Sequence, residues 1–324
     1  MADLVLVTGG CGYIGAPLCE ELLASGRRVR VLDVLLHGQS AVADHVRRAG
    51  VELQMGDIRD PEARRSALRG ADAVVHLAAI VGDPACARDP ALSHEVNVEA
   101  TVGLVADARR AGARHLVFAS TCSNYGRMAD PTVPITEEGE LAPVSLYATQ
   151  KVQIERSLLS AENGSLKPTC LRFATVYGVA PRMRFDLTVN EFARDLWADR
   201  ELEVFGEQFW RPYVHVRDAA RAVRSVLDTS PERVAGEVFN VGRSGENYRK
   251  LDLVEEIRRQ IPTGRVTYVH RDEDPRDYKV SFDKIQEQLD FKTLMTVPDG
   301  IAEVIDGLDA GDFSDPFDAR YRNA

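Results

Sequence analysis

Residues 8–15 read Thr8-Gly9-Gly10-Cys11-Gly12-Tyr13-Ile14-Gly15, between an apolar β-branched run at Leu4–Val7 and an apolar helical pattern at Ile14–Ala24. Glycine lets a backbone turn tightly and approach a ligand closely, because no Cβ intervenes. A helix starting at such a turn aims unpaired N–H groups and the positive end of its dipole back into it. The pattern predicts a strand–turn–helix unit that cradles the pyrophosphate of a dinucleotide. An acidic residue closing the second strand completes it: Asp33, 18 positions after Gly15. A carboxylate there accepts hydrogen bonds from a ribose 2′-hydroxyl and repels a 2′-phosphate. The expected cofactor is NAD rather than NADP, and Arg27 and Arg28, ahead of the second strand, do not reverse that.

The alternation continues beyond this unit. Strand-like runs fall at Leu4–Val7, Val29–Leu32, Val51–Gln54, Ala73–Leu77, His115–Ala119 and Thr169–Phe173. Helical patterns lie between them at Ile14–Ala24, Ala41–Ala49, Pro61–Leu68, His94–Ala111 and Leu146–Asn163. This order predicts an α/β fold with a Rossmann-type, doubly wound parallel sheet. After Tyr177-Gly178 the character changes. Three arginines fall between 172 and 184, a helical pattern follows at Asp186–Ala198, and Glu201–Pro212 reads as loop. Val214–Val216 and Val238–Val241 read as strands around a helix at Asp218–Leu227. Mixed elements follow at Leu251–Gln260, Val266–Val269, Phe282–Leu289 and Pro298–Leu308. The expected division is a dinucleotide domain over 1–178, with 214–241 returning to it. Residues 179–213 and 242–324 would form a smaller mixed α/β substrate domain. The tail from Gly311 to Ala324 reads as polar and loosely held.

Lys plus Arg total 40 against 50 Asp plus Glu, a net charge of −10. That balance argues against nucleic acid and anionic membrane as partners. No apolar run reaches the roughly 18 residues of a membrane span. The five cysteines, at 11, 19, 86, 122 and 170, are odd in number and widely spaced. They suit a reducing cytoplasm rather than a disulfide framework. Asn163-Gly164-Ser165 fits a glycosylation sequon but reads as a helix end. The histidines are scattered, and no metal site is expected.

Two further constellations carry chemistry. Tyr147 and Lys151 stand four apart on a helical pattern and so share a face. A nearby ammonium would lower the phenol pKa and make Tyr147 a base for a hydroxyl. The fifth strand ends in Ser120-Thr121-Cys122-Ser123-Asn124-Tyr125-Gly126, small polar residues where open α/β sheets bind ligands. With Gly56-Asp57-Ile58-Arg59-Asp60, His76-Leu77-Ala78-Ala79, Asn97 and Trp210-Arg211-Pro212-Tyr213-Val214-His215-Val216-Arg217-Asp218, the chain resembles the extended short-chain dehydrogenase/reductase superfamily. Within it the likeness is to the NAD-dependent nucleotide-sugar epimerase/dehydratase branch, over almost the whole chain.

The resemblance implies roles. Gly9, Gly12, Tyr13, Ile14, Gly15 and Asp33 would hold the cofactor. Asp57 and Ile58 would meet its adenine, and Leu77, Ala78 and Ala79 would pass its phosphates. Thr121 would hydrogen-bond the sugar 4-hydroxyl, Tyr147 would be the base, and Lys151 would bind the nicotinamide ribose. Asn190, Arg211 and Arg276 would bind a nucleotide diphosphate, for which the arginine fork is suited. Asn97 is open between a structural and a site role. Met183, Phe185, Phe209 and Trp210 are open between pocket and core. The shared first step would oxidise a sugar hydroxyl to a transient 4-ketone. The dehydratases of this branch carry carboxylates where Cys122 and Ser123 stand, so a 4-epimerase is the economical reading. The alternatives are a dehydratase or 3,5-type epimerase using Cys122 or Ser123, and, in another class, a non-catalytic NAD sensor. The helices at His94–Ala111 and Leu146–Asn163 are expected to form a homodimer contact.

Overall fold

The computed structural model describes residues 3–128, 130, 133–160, 164–272 and 276–323. The sequon residue Asn163, and the end of the helix expected to reach it, lie outside these residues. Strands form at Leu4–Thr8 (β1), Arg28–Asp33 (β2), Glu52–Met55 (β3), Ala73–His76 (β4), His115–Thr121 (β5), Lys167–Phe173 (β6) and Thr175–Tyr177 (β7). Leu202–Phe205 (β8), Trp210–His215 (β9), Val238–Val241 (β10), Asn247–Arg249 (β11) and Val266–Val269 (β12) follow. The helices are Gly15–Ala24 (α1), Ser40–Arg48 (α2), Pro61–Ala67 (α3), Asp83–Arg88 (α4), Pro90–His94 (α5), Ala100–Ala111 (α6) and Leu146–Ser160 (α7). Thr188–Trp197 (α8), Val216–Asp228 (α9), Pro231–Val234 (α10), Lys250–Gln260 (α11), Asp283–Leu289 (α12) and Val297–Asp309 (α13) complete them.

Seven strands pair in the order β10-β6-β5-β4-β1-β2-β3, all parallel. Helices on both faces explain why β1 and β5 are buried at every residue, with apolar runs at Leu4–Val7 and Leu116–Ala119. The strand order reverses direction between β1 and β4, which opens a crevice at their carboxyl ends. Local signals set the helix ends. Asp60 caps α3 by accepting the Glu62 N–H at 2.8 Å, with Pro61 at the first helical position. Gly112 ends α6 in the left-handed conformation.

Three expectations are corrected. The helix expected at His94–Ala111 starts earlier, at Pro90, and carries a π turn over Glu95–Glu99. The segment read as loop at Glu201–Pro212 contains β8 and the start of β9. β8 pairs with β12, some sixty residues on, and β9 lies between β7 and β11. Such distant partners leave no periodic trace in a short run. The tail is not loose: Phe313 and Tyr321 stack edge-on against Phe185 at centroid distances of 5.0 and 5.5 Å. The Phe185 N–H donates to the Tyr321 carbonyl at 2.9 Å. A second core gathers Tyr177, Met183, Phe185, α8, α11 and α13.

Candidate functional site

A cleft of ≈ 480 Å³ opens over the carboxyl ends of β1, β4 and β5. Gly9, Gly12, Tyr13, Ile14, Gly15 and Asp33 line one end, with Asp57 and Ile58 beside them. Leu77, Ala78 and Ala79 line the middle, and Thr121, Ser123, Tyr147, Lys151 and Arg276 the other end. The backbone at the glycine turn requires its glycines. Gly9 sits at φ +74°, where a Cβ would lie 2.8 Å from the Ala78 nitrogen. A Cβ on Gly15 would lie 2.3 Å from the Gly9 carbonyl oxygen. This cradle, closed to side chains and open to the cleft, fits a dinucleotide pyrophosphate.

Asp33 accepts the N–H of Cys11 at 2.9 Å and of Leu35 at 2.8 Å. Burial raises its carboxyl pKa, and those N–H groups and the nearby Arg182 pull against the rise. The Arg59 guanidinium forks onto Asp57 and holds that carboxyl below its ordinary range.

The opposite end is built by β5 and α7. Lys151 is buried and donates from Nζ to the Ala119 carbonyl at 2.7 Å. Its ammonium lies 4.7 Å from the Phe118 ring centroid and 5.8 Å from that of Tyr147. Burial pushes the Lys151 pKa down to about 8. It raises that of Tyr147, with the nearby Cys86 adding to the rise. The expectation that Lys151 depresses the Tyr147 pKa is therefore corrected for the protein alone: desolvation dominates, and the ammonium is engaged by a carbonyl. Thr121 Oγ1 accepts the Ser123 N–H at 3.1 Å.

Several expected site residues stand elsewhere. Cys122 does not line the cleft. Its thiol is buried behind β5, donates to the Arg172 carbonyl at 3.2 Å, and is pushed far up by desolvation. The strand ends at Thr121, and the 3-10 turn over Cys122–Tyr125 that follows carries the Cys122 side chain away from the cleft. Asn190 is fully buried: it accepts the Gly178 N–H at 2.9 Å and donates to the Tyr13 hydroxyl at 3.0 Å and the Arg184 carbonyl at 2.9 Å. It ties the segment after β7 to the glycine turn. Arg211 lies behind the cleft-lining Tyr278, 5.6 Å from its ring centroid, and donates to the Trp210 carbonyl. Arg276 reaches the rim and pairs with Asp83 at 3.0 Å. Asn97 is structural. It brackets Ile80, accepting its N–H at 2.8 Å and donating to its carbonyl at 3.0 Å, and also donates to Gln150 at 2.8 Å. Met183 and Phe185 pack in the second core, and neither Phe209 nor Trp210 lines the cleft.

Sequence reasoning missed other lining residues: His37, Thr175, Arg182, Arg184, Leu187, Tyr278 and Asn323. The arginine cluster before α8 was the available signal. The others arrive by tertiary packing. Among the described residues, no group of three or more His, Cys, Asp or Glu could hold a metal ion.

A family model described as the NAD dependent epimerase/dehydratase family matches residues 5–242. A UDP-glucose 4-epimerase of Lactobacillus helveticus is 29% identical over 275 residues, 79% of this chain and 81% of that protein. The crystal structure of the Thermus thermophilus UDP-glucose 4-epimerase complex with NAD superimposes with a TM-score of 0.82 at 28% identity. It covers 94% of this chain and 99% of that one. The Stenotrophomonas maltophila UDP-glucose-4-epimerase, solved with NAD and formylated UDP-arabinopyranose, has a TM-score of 0.87 at 24% identity. It covers 97% of this chain and 100% of that one, and shares the fold.

Proposed function

The chain belongs to the NAD-dependent epimerase/dehydratase family, and from that premise we infer that it is an NAD-dependent nucleotide-sugar epimerase working through a transient 4-keto sugar. The observation that carries epimerisation over dehydration is the distribution of acids in the cleft. Among the described residues, its lining carboxylates are Asp33 and Asp57, at the end of the glycine turn. None lines it beside Thr121, Tyr147 and Lys151, where dehydration needs an acid/base to remove a C5 proton. Cys122 is turned away and does not replace one.

NAD, when bound, supplies the hydride acceptor and a positively charged ring. Thr121 holds the reacting sugar hydroxyl, and Tyr147 takes its proton and later returns it. Lys151 stays near enough to stabilise the phenolate, and an added positive charge in the cleft lowers the cost of forming it. A 4-epimerase needs no further acid or base, because the ketone is reduced again from its other face. Arg276 at the rim is suited to a diphosphate, in exchange for Asp83. In this reading residues 1–178 with 214–241 hold the cofactor, and 179–213 with 242–324 hold the nucleotide sugar. UDP-sugars are the first candidates, since the similar epimerases act on them.

Incubation with UDP-, dTDP-, GDP- and CDP-sugars in deuterated water tests this. Inversion at C4 without deuterium at C3 or C5 is expected. Deuterium wash-in, loss of water, or no turnover of any of these sugars refutes it. Tyr147→Phe is expected to lower kcat by about 10²–10⁴-fold while retaining NAD.

A homodimer through α6 and α7 accompanies this reading. Its support is exposed apolar surface on those helices: Val102 is 52% exposed, Leu146 37% and Leu159 38%. A monomeric mass at micromolar concentration refutes it. Placement in the cytoplasm is supported by the five buried, unpaired cysteines. No helix among the described residues is long and apolar enough to cross a membrane. Fractionation of the source cells tests the placement: activity recovered with a membrane or secreted fraction refutes it.

A further inference from the structure

Arg182 differs from three other buried arginines. Arg64 pairs with Asp107, Arg172 with Glu155 and Arg194 with Asp195. Arg182 is 5% exposed, its Nε has no hydrogen-bond partner, and its Nη2 donates to the Arg322 carbonyl at 3.2 Å. No described carboxylate forms an ion pair with it. A buried guanidinium left this way costs free energy unless an anion meets it. It lines the cleft together with the glycine turn, Asp33 and His37. Asp33 accepts the Cys11 and Leu35 N–H groups, one on each oxygen, and forms no ion pair with Arg182. Burial lowers the Arg182 pKa only to about 10, so the group stays cationic at neutral pH. Burial also pushes His37 down to about 4, with Arg182 and Arg184 adding to the effect, so the histidine brings no charge of its own at neutral pH.

Two sets of bonds hold Arg182 there. The segment carrying it is fastened to the glycine turn, because the Tyr13 hydroxyl donates to the Gly178 carbonyl at 2.6 Å and Asn190 bridges the two. From outside, residues 313–323 lie across the segment. The Asn323 N–H donates to Asp186 at 3.1 Å, Phe313 and Tyr321 pack on Phe185, and Asn323 itself lines the cleft. Phe317 stacks under the Arg200 and Arg194 guanidinium groups, at 3.4 and 4.5 Å.

We propose that Arg182 is a cofactor-binding residue whose guanidinium meets the diphosphate of NAD, and that residues 313–323 are the strap that holds it there. The proposal rests on the NAD-dependent reading above and extends it to a residue outside the glycine turn.

The test is the affinity of the cofactor-stripped full chain for ADP-ribose, adenosine and UDP, by calorimetry, in wild type, Arg182→Leu, Arg182→Lys and Tyr321→Ala. Wild-type binding of ADP-ribose checks the NAD reading itself. Arg182→Leu should weaken ADP-ribose about ten- to a hundredfold, the worth of a charge-assisted bond, and leave adenosine within about twofold. Arg182→Lys should recover part of the loss, because it restores the charge without the fork. Tyr321→Ala should weaken ADP-ribose by a smaller factor with adenosine unchanged. Equal losses for adenosine and ADP-ribose would overturn the proposal, as would weakened UDP binding with ADP-ribose intact. Unchanged ADP-ribose binding in Arg182→Leu would overturn the role of the guanidinium, and in Tyr321→Ala that of the strap.

Discussion

Removing the carboxylate of Glu155 should destabilise the protein more than almost any other single truncation. Glu155 is 1% exposed and Arg172 3%. The Arg172 guanidinium reaches both Glu155 oxygens and donates to the Tyr125 hydroxyl at 2.8 Å and the Glu137 carbonyl at 3.0 Å. The same carboxylate accepts the Ser120 hydroxyl at 2.7 Å, and Asn124 approaches it at 3.4 Å. One buried anion thus joins α7, β5 and β6 beneath Thr121 and one helical turn beyond Lys151. Glu155→Ala leaves a buried cation and a buried hydroxyl without their acceptor, a loss of about 3–5 kcal/mol. That is a large share of a typical stability of roughly 5–15 kcal/mol. With a urea slope of about 3 kcal/mol/M, the midpoint should fall by about 1–1.7 M. Replacing both partners, as Glu155→Met with Arg172→Met, should cost less than either single change, because no unpaired charge remains. Urea titration followed by circular dichroism reads all three variants. A Glu155→Ala midpoint within about 0.2 M of wild type would refute the reasoning. A double variant as unstable as the two single losses added would refute the coupling.

Three other outcomes follow from the same geometry. Gly15→Ala places a Cβ 2.3 Å from the Gly9 carbonyl oxygen and 2.6 Å from the Gly10 Cα. Backbone atoms cannot swing aside, so purified protein should carry little NAD and lose about 1–3 kcal/mol of stability; full NAD content would contradict this. Cys122→Ala should keep turnover within a few-fold of wild type, because the thiol points away from the cleft, and a hundredfold loss would restore it to the chemistry. Lys151 has a folded pKa of about 8, below its ordinary 10.5. Between these values the unfolded chain binds more protons, so the contribution of Lys151 to stability rises with pH across that window and is least favourable below pH 8. The stability of wild type relative to Lys151→Met should therefore increase from pH 8 to pH 10 in urea titrations, and a flat or falling difference would contradict the burial of the ammonium.

The parts of the site legible in the sequence are those whose geometry is local. Gly9 to Gly15, Asp33 at the end of β2, Thr121 at the end of β5, and Tyr147 with Lys151 on α7 are each set by the period of one element and the order of the sheet. Cys122 shows how fine the reading is, because a single step from the end of β5 into the 3-10 turn separates a cleft-facing side chain from a buried one. Asn190 and Arg211 stand in recognisable motifs, yet their directions come from distant neighbours, Tyr13 and Gly178 for one and Trp210 with Tyr278 for the other.

The amino-acid sequence by itself determined the parallel sheet, the crevice at its switch point and the chemistry aimed into it, because apolar periodicity, glycine and strand order act over short distances. Tertiary structure alone decided which charges are paired. Arg172 finds Glu155 and loses its freedom, Arg276 reaches across to Asp83, and Arg182 is left buried without a carboxylate under a tail that a linear reading takes for loosely held. Pairing and desolvation depend on separation in space, which for these residues bears no relation to separation along the chain.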